Sequence, residues 1–344
     1  MQLNTNPADL TVGVIGAGSW GTTLADLLAQ KGYRVDLWVY EEQVKEQIAT
    51  RHENETYLPG IRLSANIRPS NDLAAAIGGK QLVVVVVPSH TVRRTARAFA
   101  AHLADDAVIV TASKGIENGT LLPVTGVLRD VLPHVPTEHL AVLSGPSFAR
   151  EVARRVPTAV TVACPDDAVA ACVQQVFATP FFRVYTNNDV IGTELGGAVK
   201  NVIAIAAGIA DGLGLGHNSQ AALITRGLTE IRRLGLKMGA NPRTFTGLAG
   251  MGDLVLTCTG KQSRNHTVGE KIGQGRSIGE ITSGMQMVAE GIKTAKSIYN
   301  LSRRLGVDMP ICRGVYGVLY EGHSPAAALK RLLNRELKPE LDEL

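Results

Sequence analysis

The sequence predicts an α/β doubly wound sheet followed by an all-α domain. Three observations carry that reading. A GxGxxG loop follows a short β-branched run and opens a helical pattern. Strand-like apolar runs then alternate with helical ones as far as Asp189. From Ile191 onward only helical periodicity and glycine-rich turns remain. The chain has 344 residues, and at ~100–200 residues per domain it holds about two. The expected division is 1–190 for a dinucleotide-binding half and 191–344 for a helical, substrate-binding half. No Pro/Ser-rich linker parts them, so they should pack tightly, with a cleft between the C-terminal edge of the sheet and the helices.

Thr11–Ile15 reads as the first strand, and residues 16–21 (GAGSWG) follow it. A helix is expected over 22–31, with Leu24, Leu27 and Leu28 on one face and Gly32 placed to end it. Residues 33–40 (YRVDLWVY) alternate as a strand. Residues 82–87 (LVVVVV) form a continuous apolar run stopped by Pro88, the pattern of a strand buried on both faces in a parallel sheet. Short strands are expected at 107–110, 140–143, 158–163 and 182–185. Helices are expected over 196–210, 219–236, 263–274, 293–305 and 326–334.

Composition excludes several function classes. Lys plus Arg number 35 and Asp plus Glu 31, a balance too even and too spread for a nucleic-acid binder. The pI of about 8.9 leans only slightly toward anionic substrates. Aromatic residues make up 4%, too few for a base-stacking surface. Cys164, Cys172, Cys258 and Cys312 form no CxxC pair and no zinc spacing; they read as small buried hydrophobes in a reducing compartment. The first ten residues lack the pattern of a signal peptide. The weakly polar stretch 196–216 contains Lys200, Asn201 and Asp211 and does not resemble a membrane span. A soluble, cytoplasmic protein is expected.

In the glycine loop each glycine has its own task. Gly16 permits the tight turn, Gly18 lets a pyrophosphate approach the backbone, and Gly21 lets the helix pack close on the strand. The helix N-terminus supplies free N–H groups and partial positive charge. About 20 residues further on, an acid would favour NAD and a base NADP. Here the strand ends in Tyr40 and Glu41. Tyr40 could stack on adenine. Glu41 could take the ribose, or could be an ordinary acid at a helix start. NAD and NADP both stay open.

Lys200 lies among Gly, Ala, Val and Ile. Burial would lower its pKa toward working pH and suit it to proton transfer, unless it is a surface lysine laid over apolar neighbours. Lys114 follows a strand, as do Gly145 and Ser147, so all three should sit at the sheet edge where doubly wound folds bind ligands. The alternatives are a solvated loop charge for Lys114 and a turn hydroxyl for Ser147. Residues 250–254 (GMGDL) read as a glycine-flexed loop that presents Asp253, as a ligand group or a helix cap. Ser263, Arg264 and Asn265 open a helix with Ser263 as N-cap; N–H groups, dipole and guanidinium together suit a phosphate. Glu290 near a further helix start reads alone as a capping acid. His217 reads as a loop histidine with no role.

Taken together, GAGSWGTTLA, VVVVVPSH, ASKGIE, SGPSFAREV, ELGGAVKNVIAIAAG, ALITRGL, GMGDLVLTCTG, QSRNHTVG and VAEG resemble the bacterial-type NAD(P)-dependent glycerol-3-phosphate dehydrogenases. The matching blocks run from residue 11 to about 320 and are specific in their order and spacing. The resemblance implies a Rossmann-type fold and reversible reduction of dihydroxyacetone phosphate to sn-glycerol 3-phosphate with NAD(H) or NADP(H), feeding phospholipid synthesis. It implies that Lys200 is the proton donor and acceptor. It implies substrate contacts from Lys114, Gly145, Ser147, Lys200, Asp253, Ser263, Arg264 and Asn265. It implies cofactor contacts from Ser19, Trp20, Lys114, Ala149, Arg264, Val288 and Glu290, beside Gly16, Gly18, Gly21 and Tyr40. It further implies a cytoplasmic homodimer with no metal, no nucleic acid and no stable membrane insertion. Such enzymes often carry Arg or His where this chain has Tyr40. Two other readings are a two-domain dehydrogenase for a hydroxy acid, which needs no phosphate site at 263–265, and a non-catalytic nucleotide sensor, which needs neither Lys200 nor Asp253.

Overall fold

The computed structural model describes residues 4–283, 289–337 and 339–340. The first half alternates as the sequence predicts: β1 (Thr11–Ile15), α1 (Ser19–Gln30), β2 (Arg34–Trp38), α2 (Glu42–Arg51), β3 (Ile67–Ser70), α3 (Leu73–Ile77), β4 (Leu82–Val85). It continues with α4 (Val92–Phe99), β5 (Val108–Thr111), α5 (Val124–Val131), β6 (Leu140–Ser144), α6 (Ala149–Ala153), β7 (Thr158–Ala163), α7 (Asp167–Phe177) and β8 (Phe182–Asn187). The eight strands form one sheet in the order β3-β2-β1-β4-β5-β6-β7-β8. Pairings are parallel except for β6 with β7. The chain reverses its direction of travel across the sheet between β1 and β4, so the crevice beyond their C-terminal ends is where this topology places a ligand.

The apolar run at β4 explains the two-layered core. Leu82 and Val84 enter the cluster on one face, with Val12, Val14, Val35 and Leu37. Val83 and Val85 enter the cluster on the other, with Ile15, Ile109 and Phe99. A strand covered on both faces has no polar side to alternate with. The sequence reading misses β3, a short strand at the sheet edge that contains Pro69; proline is tolerated there but hides the strand pattern. Helix α1 starts at Ser19, three residues before its expected start, because Gly18 takes the N-cap position.

The second half consists of α8 (Val190–Gly212), α9 (Gly216–Lys237), α10 (Asp253–Thr259), α11 (Arg264–Gly273), α12 (Ile278–Ser283), α13 (Glu290–Leu305), α14 (Pro310–Tyr320) and α15 (Pro325–Leu333). Three local expectations need correction. The segment 250–254 is not a loop: residues 248–252 coil as a wide helical turn that runs into α10. His217 lies in the first turn of α9 rather than in a loop. Helix α14 has no counterpart in the sequence reading; Pro310 occupies its first turn, where a missing N–H costs nothing. Of the four thiols, Cys172 is only partly buried.

Helix α8 is long and apolar enough to cross a membrane by composition, yet protein covers it on nearly every side, and it buries Glu194, Lys200 and Asn201. It crosses α11 with glycines on both helices. A Cβ on Gly208 would lie 2.0 Å from the His266 carbonyl oxygen, and one on Gly269 2.0 Å from that of Ile205. Gly212 and Gly273 repeat the arrangement one turn on. This close crossing sets the start of α11 beside the middle of α8, where Lys200 and Asn201 lie.

Gly269→Ala is expected to destabilise the protein by about 2 kcal/mol, because overpacking outweighs the ~1 kcal/mol gain in helix propensity. Gly279→Ala in α12 meets open space and should be neutral or stabilising. Urea unfolding midpoints of the two variants check the contrast.

Candidate active site

The glycine loop has the shape of an anion cradle. Gly16 adopts φ +112° and its Cβ would lie 2.7 Å from the Val86 carbonyl oxygen, so only glycine fits the turn. A Cβ on Gly21 would come within 1.9 Å of Gly16 O, so α1 sits directly on the turn. Gly18 faces open space, with no atom within 4 Å of a would-be Cβ. No side chain caps α1, which leaves its first N–H groups turned to that space. The loop therefore fits a dinucleotide pyrophosphate. Ser19 opens α1 and Trp20 packs its ring on Phe182, centroids 6.4 Å apart. Ala149 begins α6 against α1, its carbonyl accepting from Thr23 Oγ1 at 3.3 Å. Tyr40 is 71% exposed and stands edge-on to Trp38. Glu41 makes no cap hydrogen bond to α2; its carboxylate accepts from Tyr57 Oη at 2.8 Å.

Beyond β5 and β6 lies the charged centre. Lys114 Nζ donates to Asp253 Oδ2 at 2.6 Å and to the Gly145 carbonyl at 3.4 Å. Asp253, 1% exposed at the first position of α10, accepts from Lys200 Nζ with its other oxygen. Lys200 Nζ also donates to Thr257 Oγ1 at 2.8 Å. Thr257 is held in turn by donating to the Asp253 carbonyl one helical turn back at 2.6 Å. Two of the three Lys200 donors are thus engaged. Burial works to raise the Asp253 carboxyl, but the Lys114 and Lys200 charges outweigh it and hold it below the usual range. Burial pushes Lys200 down to about 8; Asp253 opposes that shift and the nearby Lys114 charge adds to it. Lys200, 7% exposed, is not a surface lysine. Gly197, one turn before it, leaves room for the Lys114 stem.

A second side of the centre is built by α11 and α13. Ser263 caps α11 by accepting from His266 N–H at 3.2 Å, and Arg264 takes the first helical position. Asn265 ties α11 to its neighbours: one of its two Nδ2 hydrogens is donated to Asn201 Oδ1 at 3.0 Å, and its Oδ1 accepts from Gly291 N–H at 2.9 Å. Glu290 does not cap its own helix. Its carboxylate accepts from Ser89 N–H at 3.2 Å and Ser89 Oγ at 2.7 Å, just past β4. Burial raises the Glu290 carboxyl, against those hydrogen bonds and the Arg264 charge. Gly115, next to Lys114, lies against Ser89, since its Cβ would fall 2.4 Å from Ser89 Oγ. Contacts therefore run continuously from Gly16 through Val86 to Ser89, Gly115, Lys114, Asp253, Lys200 and Asn201, and on to Asn265 and Arg264.

The structure thus brings together Gly16, Gly18, Gly21, Lys114, Gly145, Lys200, Asp253, Arg264, Asn265 and Glu290. Ser147 Oγ turns onto the Gly145 carbonyl at 3.1 Å, which is the turn-hydroxyl alternative. Val288 falls outside the described residues. Thr257, Asn201 and Ser89 escape the sequence reading. Thr257 carried a usable signal, standing four residues after Asp253 and so on the same helix face. Ser89 follows the apolar run at the sheet edge.

Known proteins share the sequence and the fold. Family models described as NAD-dependent glycerol-3-phosphate dehydrogenase, N-terminus and C-terminus, match residues 11–170 and 189–330. A glycerol-3-phosphate dehydrogenase (NAD(P)+) of Syntrophobacter fumaroxidans is 56% identical over 331 residues, covering 96% of this chain and 97% of the relative. One from Myxococcus xanthus is 54% identical over 328 residues, covering 95% and 98%. The crystal structure of glycerol-3-phosphate dehydrogenase from Coxiella burnetii superposes with a TM-score of 0.91 at 39% identity, covering 96% of this chain and all of that one. A ketopantoate reductase from Ralstonia eutropha, 18% identical with a TM-score of 0.59 over 94% of this chain and all of that one, shares the fold.

Asp253→Asn removes the main charge that opposes the effect of burial on Lys200. The Lys200 pKa is expected to fall below about 8. An NMR titration of the lysine side chains checks this; an unmoved Lys200 titration would show that the two groups are not coupled.

Proposed function

Because the chain belongs to the NAD-dependent glycerol-3-phosphate dehydrogenase family, we propose that it reversibly reduces dihydroxyacetone phosphate to sn-glycerol 3-phosphate with NADH or NADPH. One observation carries the chemistry: Asp253 is clamped between Lys114 and Lys200, and Lys200 keeps one donor for a ligand. The nicotinamide cofactor, when bound, supplies the hydride that the ketone carbon accepts. Lys200 in its ammonium form donates a proton to the oxygen of that carbon, and water re-protonates the amine. In the oxidation neutral Lys200 takes the hydroxyl proton. A pKa of about 8 lets both forms exist near neutrality. Asp253 stays ionised throughout and holds Lys200 and Lys114 in place.

The phosphate belongs at the start of α11. A helix start offers N–H groups without intrahelical partners and the positive end of the dipole, Arg264 brings a cation at its first position, and Asn265 fixes that turn against Asn201, the neighbour of Lys200. Gly16, Gly18, Gly21, Ser19 and Trp20 hold the dinucleotide, with Ala149 and Glu290 on its flanks. Lys114 lines both the cofactor and substrate sides. The same reading makes the chain a cytoplasmic homodimer that feeds phospholipid synthesis. Four free cysteines suit that compartment.

Lys200→Ala is expected to lower kcat by about 10²–10⁴ while NADH binding, followed by fluorescence, stays near wild type. In the intact enzyme, kcat for reduction should fall as pH rises through about 8, since the ammonium is lost. The oxidation should gain over the same range. Flat profiles in both directions would remove Lys200 as the proton carrier.

Arg264→Ala is expected to raise KM for dihydroxyacetone phosphate by about ten- to a hundredfold, the worth of one charge-assisted hydrogen bond. Wild-type enzyme should turn over unphosphorylated dihydroxyacetone far more slowly. Equal turnover of the two ketones would reject the phosphate site.

A further inference from the structure

We propose that Glu41, held in place by Tyr57, makes this enzyme select NADH over NADPH. The proposal rests on the dehydrogenase reading and narrows its cofactor.

The place of Glu41 is set by the sheet. Pairing of β1 with β2 puts Ile15 opposite Trp38, and the Trp38 carbonyl accepts from Gly16 N–H at 3.1 Å. The chain leaving β2 therefore passes beside the glycine turn, and in a doubly wound fold the adenosine ribose lies past the end of that second strand. The exit is pinned on both sides. Val39 N–H donates to the Ser70 carbonyl at 2.8 Å. Asn71 Nδ2 donates to the Val39 carbonyl at 2.7 Å, and Trp38 Nε1 donates to the Asn71 carbonyl at 3.1 Å.

Glu41 stands at the N-cap position of α2, where an acid commonly bonds the free N–H groups, and its side chain declines that task. It turns to Tyr57 Oη, 2.8 Å away. Tyr57 in turn is tied to the glycine loop. Its N–H donates to Asn54 Oδ1 at 3.0 Å. The Asn54 amide, fully buried, donates to the Ala17 carbonyl and to Thr22 Oγ1, both at 2.8 Å. A chain of hydrogen bonds thus runs from GAGSWG through Asn54 and Tyr57 to the Glu41 carboxylate. Burial and the Glu41 charge lift the Tyr57 phenol to about 12, which keeps it a donor.

The chemistry at this corner is that of an acceptor. A ribose with free 2′ and 3′ hydroxyls can donate to the remaining Glu41 oxygen. A 2′-phosphate dianion brings negative charge against negative charge and no proton to share. Between Trp38 and Thr50 the sequence has one basic residue, Lys45, and Glu42 already pairs with it. The segment from Trp38 into α2 thus offers no free cation to offset the phosphate.

The test measures binding, apart from turnover. Calorimetric titration of the full chain, without substrate, is expected to show NADH bound about tenfold or more tighter than NADPH, the order of one repelling charge pair a few ångströms apart. Glu41→Gln keeps the shape and the Tyr57 contact but removes the charge; NADPH should tighten and the preference should shrink about tenfold. Tyr57→Phe releases the carboxylate, so NADH should weaken more than NADPH. Equal affinities in the wild type, or an unchanged ratio in Glu41→Gln, overturn the proposal; a wild-type ratio in Tyr57→Phe overturns the part assigned to Tyr57. The failure of the dehydrogenase reading looks different: no oxidation of either cofactor in the presence of dihydroxyacetone phosphate.

Discussion

One carboxylate shared by two ammoniums organises this molecule. Asp253 is almost wholly buried, and a lone buried carboxylate would be protonated or would not be there. With Lys114 on one oxygen and Lys200 on the other it stays charged. The reverse dependence matters more for chemistry. Lys200 lies deep enough in α8 to lose its proton readily, and Asp253 draws its pKa back up to about 8. Buried ion pairs contribute little net stability, because desolvation offsets their attraction. Here the arrangement gives position and poise: one amine fixed by Asp253 and Thr257, with its charge in balance near working pH.

That centre is assembled across a seam. Lys114 comes from the sheet edge, while Lys200 and Asp253 come from the helices. Charged interactions at the seam hold the halves in register. Glu290 of α13 accepts twice from Ser89, just past β4. Glu194 of α8 accepts from the Thr125 N–H and hydroxyl in the first turn of α5. Both carboxyls are raised by burial, Glu194 to about 7, so each strut carries a desolvation cost that its hydrogen bonds offset only in part. Such groups specify geometry more than they add stability. Within the helical half, the glycine crossing of α8 and α11 does the corresponding work with backbone alone.

The fold and much of the site were legible because both are written in local patterns. The glycine loop, the LVVVVV run and the helical periodicity after Ile191 each reflect burial repeated at a fixed period. Lys200 stood out because a charge among Gly, Ala and Val is anomalous. Asp253 could not be told from a helix cap, since its partners are 139 and 53 residues away and no local pattern encodes such distances. The place of Asn265 at a helix start was legible, but its bonds to Asn201 and Gly291, 64 and 26 residues away, were not. The segment 250–254 looked like a loop because its glycines suggest flexibility. They serve packing instead: a Cβ on Gly250 would lie 2.3 Å from the Phe245 carbonyl oxygen, and one on Gly196 would meet that of Ala249 at 2.3 Å.

The division of labour between the halves follows from what each kind of backbone offers. A parallel sheet presents loops and helix starts along one edge, and there N–H groups bind phosphates without titrating. It is poorly suited to burying an amine, because that edge opens to water. A long helix packed on all sides can bury one, and α8 does so at its centre. Reduction of a ketone needs both: a fixed cradle for the electron carrier and a dry group that can give up a proton. Neither half supplies the two together, so the proposed mechanism puts the reacting carbon at the seam and gives the residues that close the seam a part in the chemistry even where they touch no substrate.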